Sequence, residues 1–226
     1  MGVVWEGKHR GTGAGVAVKF MTAVGARRPR YVAAFRREVA AVAQLHHPDI
    51  IRVHDVGVAH GLPYMVMELA ESALNPLVPP ENWEALQSLL AHLLRALGHA
   101  HASHILHRDV KPENVVICGA VSPRPGPKLA DFGISMERED QGFTGCAGTP
   151  VFMAPECFDK RFLDIGPWTD LYGLGCTAWS LVTGLPPFPL TEIRALATAH
   201  KWQPPPPLSA SIAVPAGLED WLLRQV

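Results

Sequence analysis

The chain has 226 residues, 48% hydrophobic and 18% charged, with 20 Lys+Arg against 21 Asp+Glu for a net charge of −1. That composition can bury a core, and so even a charge balance offers no electrostatic footprint for nucleic acid or an anionic membrane. No apolar run approaches the roughly 18 residues of a spanning segment, and Met1–Glu6 lacks the basic and apolar regions of a signal peptide. The four cysteines, Cys118, Cys146, Cys157 and Cys176, are widely spaced and form no Cys-x-x-Cys pair. Neither a zinc site nor a disulfide framework is expected, and a reducing, cytoplasmic setting fits, as a free protein or as the cytosolic part of a larger one.

In chain order, residues 2–8 and 15–21 read as strands joined by a turn at Arg10–Gly15. Val16-Ala17-Val18-Lys19-Phe20 has the alternation of a half-buried strand. A helix is predicted over 29–45, with Pro29 suited to its opening and Phe35, Val39, Val42 and Leu45 at helical spacing. His47-Pro48-Asp49 ends it. Strands follow at Ile50–Val56 and Pro63–Glu68, around a turn at His60-Gly61. Then the character changes. Trp83–His101 is a long helix with Leu86, Leu90, Leu93 and Leu97 on one face. Short strands are expected around Val115–Ile117 and Lys128–Ala130, and Leu171–Thr183 reads as a buried apolar helix. Pro204–Pro207 is the one low-complexity spot and reads as a short extended surface segment. The fold class is therefore α+β: a small β-rich lobe (1–68), a hinge (68–70) and a mainly helical lobe (71–226).

Against this framework stands an ordered set of motifs. Val16-Ala17-Val18-Lys19 is followed by His107-Arg108-Asp109-Val110-Lys111-Pro112-Glu113-Asn114, then Asp131-Phe132-Gly133, then Gly148-Thr149-Pro150 and Ala154-Pro155-Glu156. Taken singly, each has a plain reading. A lysine on an apolar strand can snorkel to solvent. Glu38 on an arginine-rich helix is an ordinary surface residue, and Asp109 and Asn114 favour turns on their own account. Asp131-Phe132-Gly133 could be a strand ending in a turn. The order and spacing of the whole set carry the argument, because they match the catalytic loop, magnesium loop and activation-segment end of a protein kinase.

The chain thus resembles the eukaryotic-like, Hanks-type serine/threonine protein kinases of bacteria over nearly its whole length, and the resemblance implies a bilobal fold, ATP, Mg²⁺ and protein substrates bearing Ser or Thr. It implies that Lys19 holds the α- and β-phosphates and pairs with Glu38. Asp109 would accept the proton of the substrate hydroxyl, and Lys111 would stabilise the γ-phosphate. Asn114 and Asp131 would supply hard oxygens to Mg²⁺. Met67 falls at the gatekeeper, the backbones of Glu68 and Ala70 would bond adenine, and Val4, Ala17 and Val116 would sandwich it. Lys111 and Thr149 point to Ser/Thr rather than Tyr acceptors, with the Thr149 hydroxyl placed to bond Asp109 and Lys111. Thr144 is the expected regulatory phosphosite, with Arg108 as its phosphate partner.

Departures and decoys complete the reading. Of the glycine-rich phosphate loop only Gly2-Val3-Val4 is present, and the arginine that the family pairs with Glu156 is not in the chain, so the sequence looks like a kinase domain clipped at both ends. Gly11-Thr12-Gly13-Ala14-Gly15 precedes a strand rather than a helix, so it reads as a turn and not a phosphate cradle. His92, His99, His101 and His104 read as helix-face residues rather than metal ligands. Two alternatives to a protein kinase are a catalytically weak nucleotide-binding or scaffold module and a small-molecule kinase. The Gly-Thr-Pro and Ala-Pro-Glu motifs argue against the latter.

Overall fold

The computed structural model of the chain describes residues 3–20, 32, 39–120, 122–132, 148–159 and 162–226. Val3–Lys8 (β1) and Gly15–Phe20 (β2) pair antiparallel in unbroken register from Val3↔Phe20 to Lys8↔Gly15. The glycine-containing segment between them is a hairpin turn. The Gly13 amide donates to the His9 carbonyl and the His9 amide to the Ala14 carbonyl, both at 2.8 Å, and Gly13 takes a φ of +71° that glycine adopts without strain. Val53–Ala59 (β3) and Leu62–Glu68 (β4) form the second hairpin. Its two turn residues, His60 and Gly61, both have positive φ, as a tight hairpin matched to the strand twist requires. The four strands make one sheet in the order β1-β2-β4-β3.

Residues paired across strands share a face of the sheet. Val4↔Lys19, Glu6↔Ala17, Ala17↔Met67 and Lys19↔Met65 therefore put Val4, Ala17, Lys19, Met65 and Met67 on one side. Ala17, Met65 and Met67 pack with Val39 under that face. Residues 39–42 are helical, inside the predicted 29–45 helix. Glu38 and most of the rest of that helix lie outside the described residues.

The third strand begins at Val53 rather than at the predicted Ile50. Ile50 and Ile51 are buried, but their backbone binds elsewhere: Ile51 donates to the Leu129 carbonyl (3.0 Å) and Leu129 to the Asp49 carbonyl (2.9 Å). An apolar run signals burial without saying which strand it will pair with. A second sheet joins Ser72–Ala73 (β5), Val115–Cys118 (β6) and Gly126–Leu129 (β7) in that order. The two-residue β5 is too short to leave a periodic signal.

Trp83–Ala102 (α1) buries Leu86, Leu90, Leu93 and Leu97, as its periodicity predicts. Asn82 caps it by accepting the Ala85 amide at 2.9 Å. At the other end His104 takes a left-handed φ of +58°, with Ile105 donating to Ala100 and His104 to His101, the closing pattern that satisfies orphan carbonyls. After the short helix Pro155–Phe158 (α2) comes Pro167–Thr183 (α3), whose residues from Thr169 to Val182 are nearly all buried. The predicted start was Leu171. Proline at the first helical position is favourable, so Pro167–Asp170 continue the helix rather than precede it. Ile193–Trp202 (α4) and Leu218–Leu223 (α5) complete the chain. The main core runs from Val42, Leu45 and Ile50 through α1 and α3 to Leu222.

Among the described cysteines, Cys118 and Cys176 are free and buried, whereas Cys157 is disulfide-bonded. A single such bond is not the multi-cysteine framework that the spacing argues against, but the spacing carries no sign of it. Sequence spacing sees only frameworks built from recurrent close cysteines, not a bond that tertiary folding creates. No helix among the described residues is long and apolar enough to cross a membrane.

His200 of α4 lies in an aromatic box. It stacks on Phe158 (centroids 5.5 Å apart), meets Phe188 edge-on at 5.0 Å and accepts the Tyr172 hydroxyl on Nδ1 at 2.5 Å. Its Nε2 is buried without a hydrogen-bond partner among the described residues. Burial lowers its pKa to about 4 from 6.5. Between these values the unfolded chain binds the proton more readily, so stability present above pH 6.5 is lost as pH falls toward 4. Denaturant unfolding of the wild type is expected to show this loss, on the order of 1–3 kcal/mol. His200→Phe removes the titrating ring, so its stability should be flatter across the same window. Equal slopes in the two proteins would contradict the assignment.

Candidate active site

Three backbone segments and one strand side chain converge here: the loop after α1, the end of β7, the segment from Gly148, and Lys19 of β2. The loop is fixed from inside. His107 is fully buried; its Nδ1 accepts the Asp109 amide (3.2 Å) and its Nε2 donates to the Ala130 carbonyl (2.8 Å). One neutral tautomer satisfies both bonds, and burial lowers the imidazole pKa, favouring that neutral form. The ring packs against Phe132 with centroids 4.6 Å apart. The loop carrying Asp109 is thereby fastened to the segment carrying Asp131.

A second fastening comes from α3. The Asp170 side chain, in a residue only 1% exposed, accepts the amides of His107 (2.8 Å) and Arg108 (2.7 Å) and the Nε2–H of His101 (2.7 Å). These bonds hold Arg108 at a φ of +64°, and Asp131 likewise sits at +61°. Left-handed backbone at a non-glycine residue costs about 1–3 kcal/mol. Neighbouring bonds must offset that cost at both positions.

Asp109 is then presented in a network. Its Oδ1 accepts the Thr149 amide at 2.9 Å, and its Oδ2 accepts Lys111 Nζ at 2.7 Å and Asn114 Nδ2 at 3.0 Å. Asn114 Nδ2 also donates to the Asp109 carbonyl (2.7 Å), and Asn114 Oδ1 accepts no hydrogen bond among the described residues. Lys111 Nζ donates to the Thr149 hydroxyl at 2.5 Å. The expectation that this hydroxyl would bond both Asp109 and Lys111 is half right, since Asp109 is reached by the Thr149 amide instead. Gly148 lies against the loop so closely that a Cβ would come within 3.1 Å of the Arg108 carbonyl. A side chain there would require the backbone to give by a few tenths of an ångström.

The Ala130 amide donates to the Asn114 carbonyl at 2.8 Å, and Asp131 follows directly. Lys19 Nζ forms an ion pair with Asp131 Oδ1 at 2.7 Å. Lys19, Asp109, Lys111, Asn114, Asp131 and Thr149 thus belong to one connected constellation. Met67 is buried against Ala17, and Val116 packs beside Ala70 near Ile51, Cys118 and Ala130. Val4 shares the Lys19 face and is 53% exposed. The Arg108 side chain is exposed. Glu156 accepts the Thr169 hydroxyl at 2.6 Å. Glu38 and Thr144 lie outside the described residues.

Two residues that sequence reasoning passed over prove central. The helix expected from Leu171 leaves Asp170 just outside it, and His101 reads from sequence only as a helix-face residue. The available signal was an acidic residue beside a strongly apolar run, because a buried carboxylate requires donors.

A family model described as the protein kinase domain matches residues 1–212. The chain is 37% identical to the serine/threonine-protein kinase Pkn1 of Myxococcus xanthus over 99% of its own length and 33% of that protein. It is 34% identical to the serine/threonine-protein kinase PknA of Mycobacterium tuberculosis (92% of this chain, 50% of PknA) and 32% identical to PknH of the same organism (93% and 34%). The chain therefore spans between a third and a half of the length of these relatives.

Asp170→Asn keeps the shape but removes the charge, and turns an amide donor toward one of three N–H groups. Hydrogen bonds to a charged group contribute about 1.5–3 kcal/mol each, so a destabilisation of roughly 3 kcal/mol is expected from denaturant unfolding. The Asp109 loop should also lose protection from amide hydrogen exchange while α1 keeps it. Unchanged protection of Arg108 and Asp109 would refute the role given to Asp170.

Proposed function

The chain belongs to the protein kinase domain family, and we propose that it transfers the γ-phosphate of ATP to serine and threonine hydroxyls of proteins. The observation that carries this reading is the Asp109 carboxylate, held by Asn114 and Thr149 and paired with the Lys111 ammonium. Phosphoryl transfer asks for positioning, charge neutralisation and a proton acceptor, and this constellation has a group for each.

Asp109 orients the acceptor hydroxyl and takes its proton as the new O–P bond forms. Lys111 lies beside it and compensates charge on the transferred group, while Thr149 holds the lysine in place. Asn114 Oδ1 and the Asp131 carboxylate are hard oxygen donors of the kind Mg²⁺ takes, and they are the residues that would hold it. When bound, Mg²⁺ supplies positive charge to the phosphates. Lys19 is the cation for the α- and β-phosphates. Its pairing with Asp131 compensates both charges.

In this reading residues 1–68 and 71–226 are the two lobes and 68–70 the hinge. The Glu68 and Ala70 backbones bond adenine between Val4 and Ala17 on one side and Val116 on the other, beside Met67 at the gatekeeper. Glu38 is the partner of Lys19. Thr144 is the regulatory phosphosite, and the exposed Arg108 is positioned by sequence to receive its phosphate.

The test is turnover with ATP, Mg²⁺ and a mixed peptide library, followed by phosphoamino-acid analysis. Phosphoserine and phosphothreonine are expected, and mainly phosphotyrosine would overturn the acceptor class. Asp109→Asn should lower kcat by about 10²–10⁴-fold with ATP affinity within about threefold of wild type. Retained turnover in that variant would remove Asp109 from the mechanism. Phosphopeptide mapping is expected to find Thr144, and Thr144→Ala to lower activity. Full activity there, with no phosphate between residues 131 and 156, would refute the regulatory assignment.

A further inference from the structure

The side chain of Glu68 has no part in the reading above, which uses only its backbone. That side chain is nonetheless the centre of a network. The residue is 9% exposed. Its Oε2 is bonded by Arg124 Nη2 and accepts the Arg52 amide at 3.4 Å, and its Oε1 accepts the Ser122 hydroxyl at 3.2 Å. Lys128 Nζ stands 4.0 Å from Oε1 and donates to the Pro48 carbonyl at 2.6 Å.

Arg124 does more than neutralise Glu68. Its Nη1 donates to the His47 carbonyl at 2.9 Å and its Nη2 reaches the Ile50 carbonyl at 3.4 Å. Its own amide is held by the Ser122 hydroxyl at 3.2 Å, the same group that donates to Glu68. One planar guanidinium therefore ties together the end of β4, the 47–50 segment and the loop between β6 and β7. The 47–50 segment is in turn fastened to α1, because Asp49 bonds His92 (2.7 Å) and Arg95 Nε (2.9 Å). The Glu68 amide donates to the Arg52 carbonyl at 2.9 Å, so the side chain and backbone of Glu68 are both fixed against the same stretch of chain.

We propose that Arg124 is a positioning residue for nucleotide, holding the Glu68–Ala70 backbone in the register that adenine needs. The inference rests on the reading of Glu68 and Ala70 as the adenine-bonding segment. Three features favour it over a role in stability alone. The carboxylate gripped belongs to one of the two residues whose backbones would meet the base. The grip comes from a side chain able to span three acceptors, a geometry an ammonium cannot reproduce. Its far anchors lie on 47–50 and, through Asp49, on α1, so the hinge is referenced to both halves of the molecule. Supporting residues of this kind act on affinity because small displacements of a binding group are costly.

The experiment measures ATP KM, peptide KM, kcat and ADP affinity for wild type, Arg124→Ala, Arg124→Lys, Glu68→Gln and Lys19→Met, well below every melting temperature. Arg124→Ala is expected to raise ATP KM and weaken ADP about tenfold, with kcat and peptide KM within about twofold. Arg124→Lys should fall between, since it keeps the charge and loses the span. Adding Arg124→Ala to Glu68→Gln should change ATP KM no further. A lowered melting temperature with unchanged ATP KM would make Arg124 merely structural and overturn the proposal, as would equal losses in ATP KM, peptide KM and kcat. If Arg124→Ala does not fold, Arg124→Lys and Ser122→Ala decide, and unchanged ATP KM in both overturns it. Wild type that binds no nucleotide, or Lys19→Met that binds it unchanged, would sink the underlying site reading. Wild type that binds, with Arg124 variants that bind equally well, would sink the clamp alone.

Discussion

One buried carboxylate fixes the geometry of the site. Asp170 is enclosed by α1, α3 and the loop after α1, where an unpaired charge would cost several kcal/mol. Three N–H donors meet it, two of them consecutive main-chain amides. Arg108, the second of the two residues whose amides it accepts, has a left-handed backbone. Asp170 thus anchors the two residues immediately before Asp109, one of which is conformationally strained.

His107 extends that arrangement to the opposite wall. It has no exposed surface, and its two ring nitrogens are used by groups on different segments. A neutral ring with its proton on Nε2 satisfies both bonds, so a charged ring would leave the Asp109 amide facing a donor. Depression of its pKa by burial keeps the ring in the useful form. The Ala130 carbonyl that it holds is one residue from Asp131, and the Ala130 amide is bound to Asn114. The spacing between Asp109 and Asp131 is thus set by main-chain bonds through a rigid ring, not by flexible side chains.

The chemistry was far more legible in the sequence than the scaffold that aims it. Lys19, Asp109, Lys111, Asn114 and Asp131 stood out because the order and spacing of their motifs resemble those of protein kinases, and α1 stood out because four leucines recur at its period. Asp170 and Arg124 did not, because each acts by bonding backbone carbonyls or amides distant in the chain, and such partners leave no periodic or compositional trace. The start of β3 was misread for a related reason: Ile50 and Ile51 are as apolar as strand residues, yet their backbone partners belong to β7. The Cys157 disulfide was likewise invisible to spacing. Local rules report what a segment prefers, and these features depend on what it meets.

Acceptor accounting at Asp109 narrows the proposed reaction further. A carboxylate offers about four lone-pair sites over its two oxygens. Oδ2 already accepts Lys111 and Asn114, and Oδ1 accepts the Thr149 amide. Among the described residues one site remains, on Oδ1, the oxygen beside Thr149. Under the proposed reading an incoming hydroxyl would meet that oxygen, where the chain segment that starts at Gly148 passes close to the Arg108 carbonyl. With those three bonds in place, Asp109 presents that oxygen in one fixed direction. Its contribution under this reading is to orient the hydroxyl before transfer and to receive the proton late, as bond formation to phosphorus makes that proton acidic.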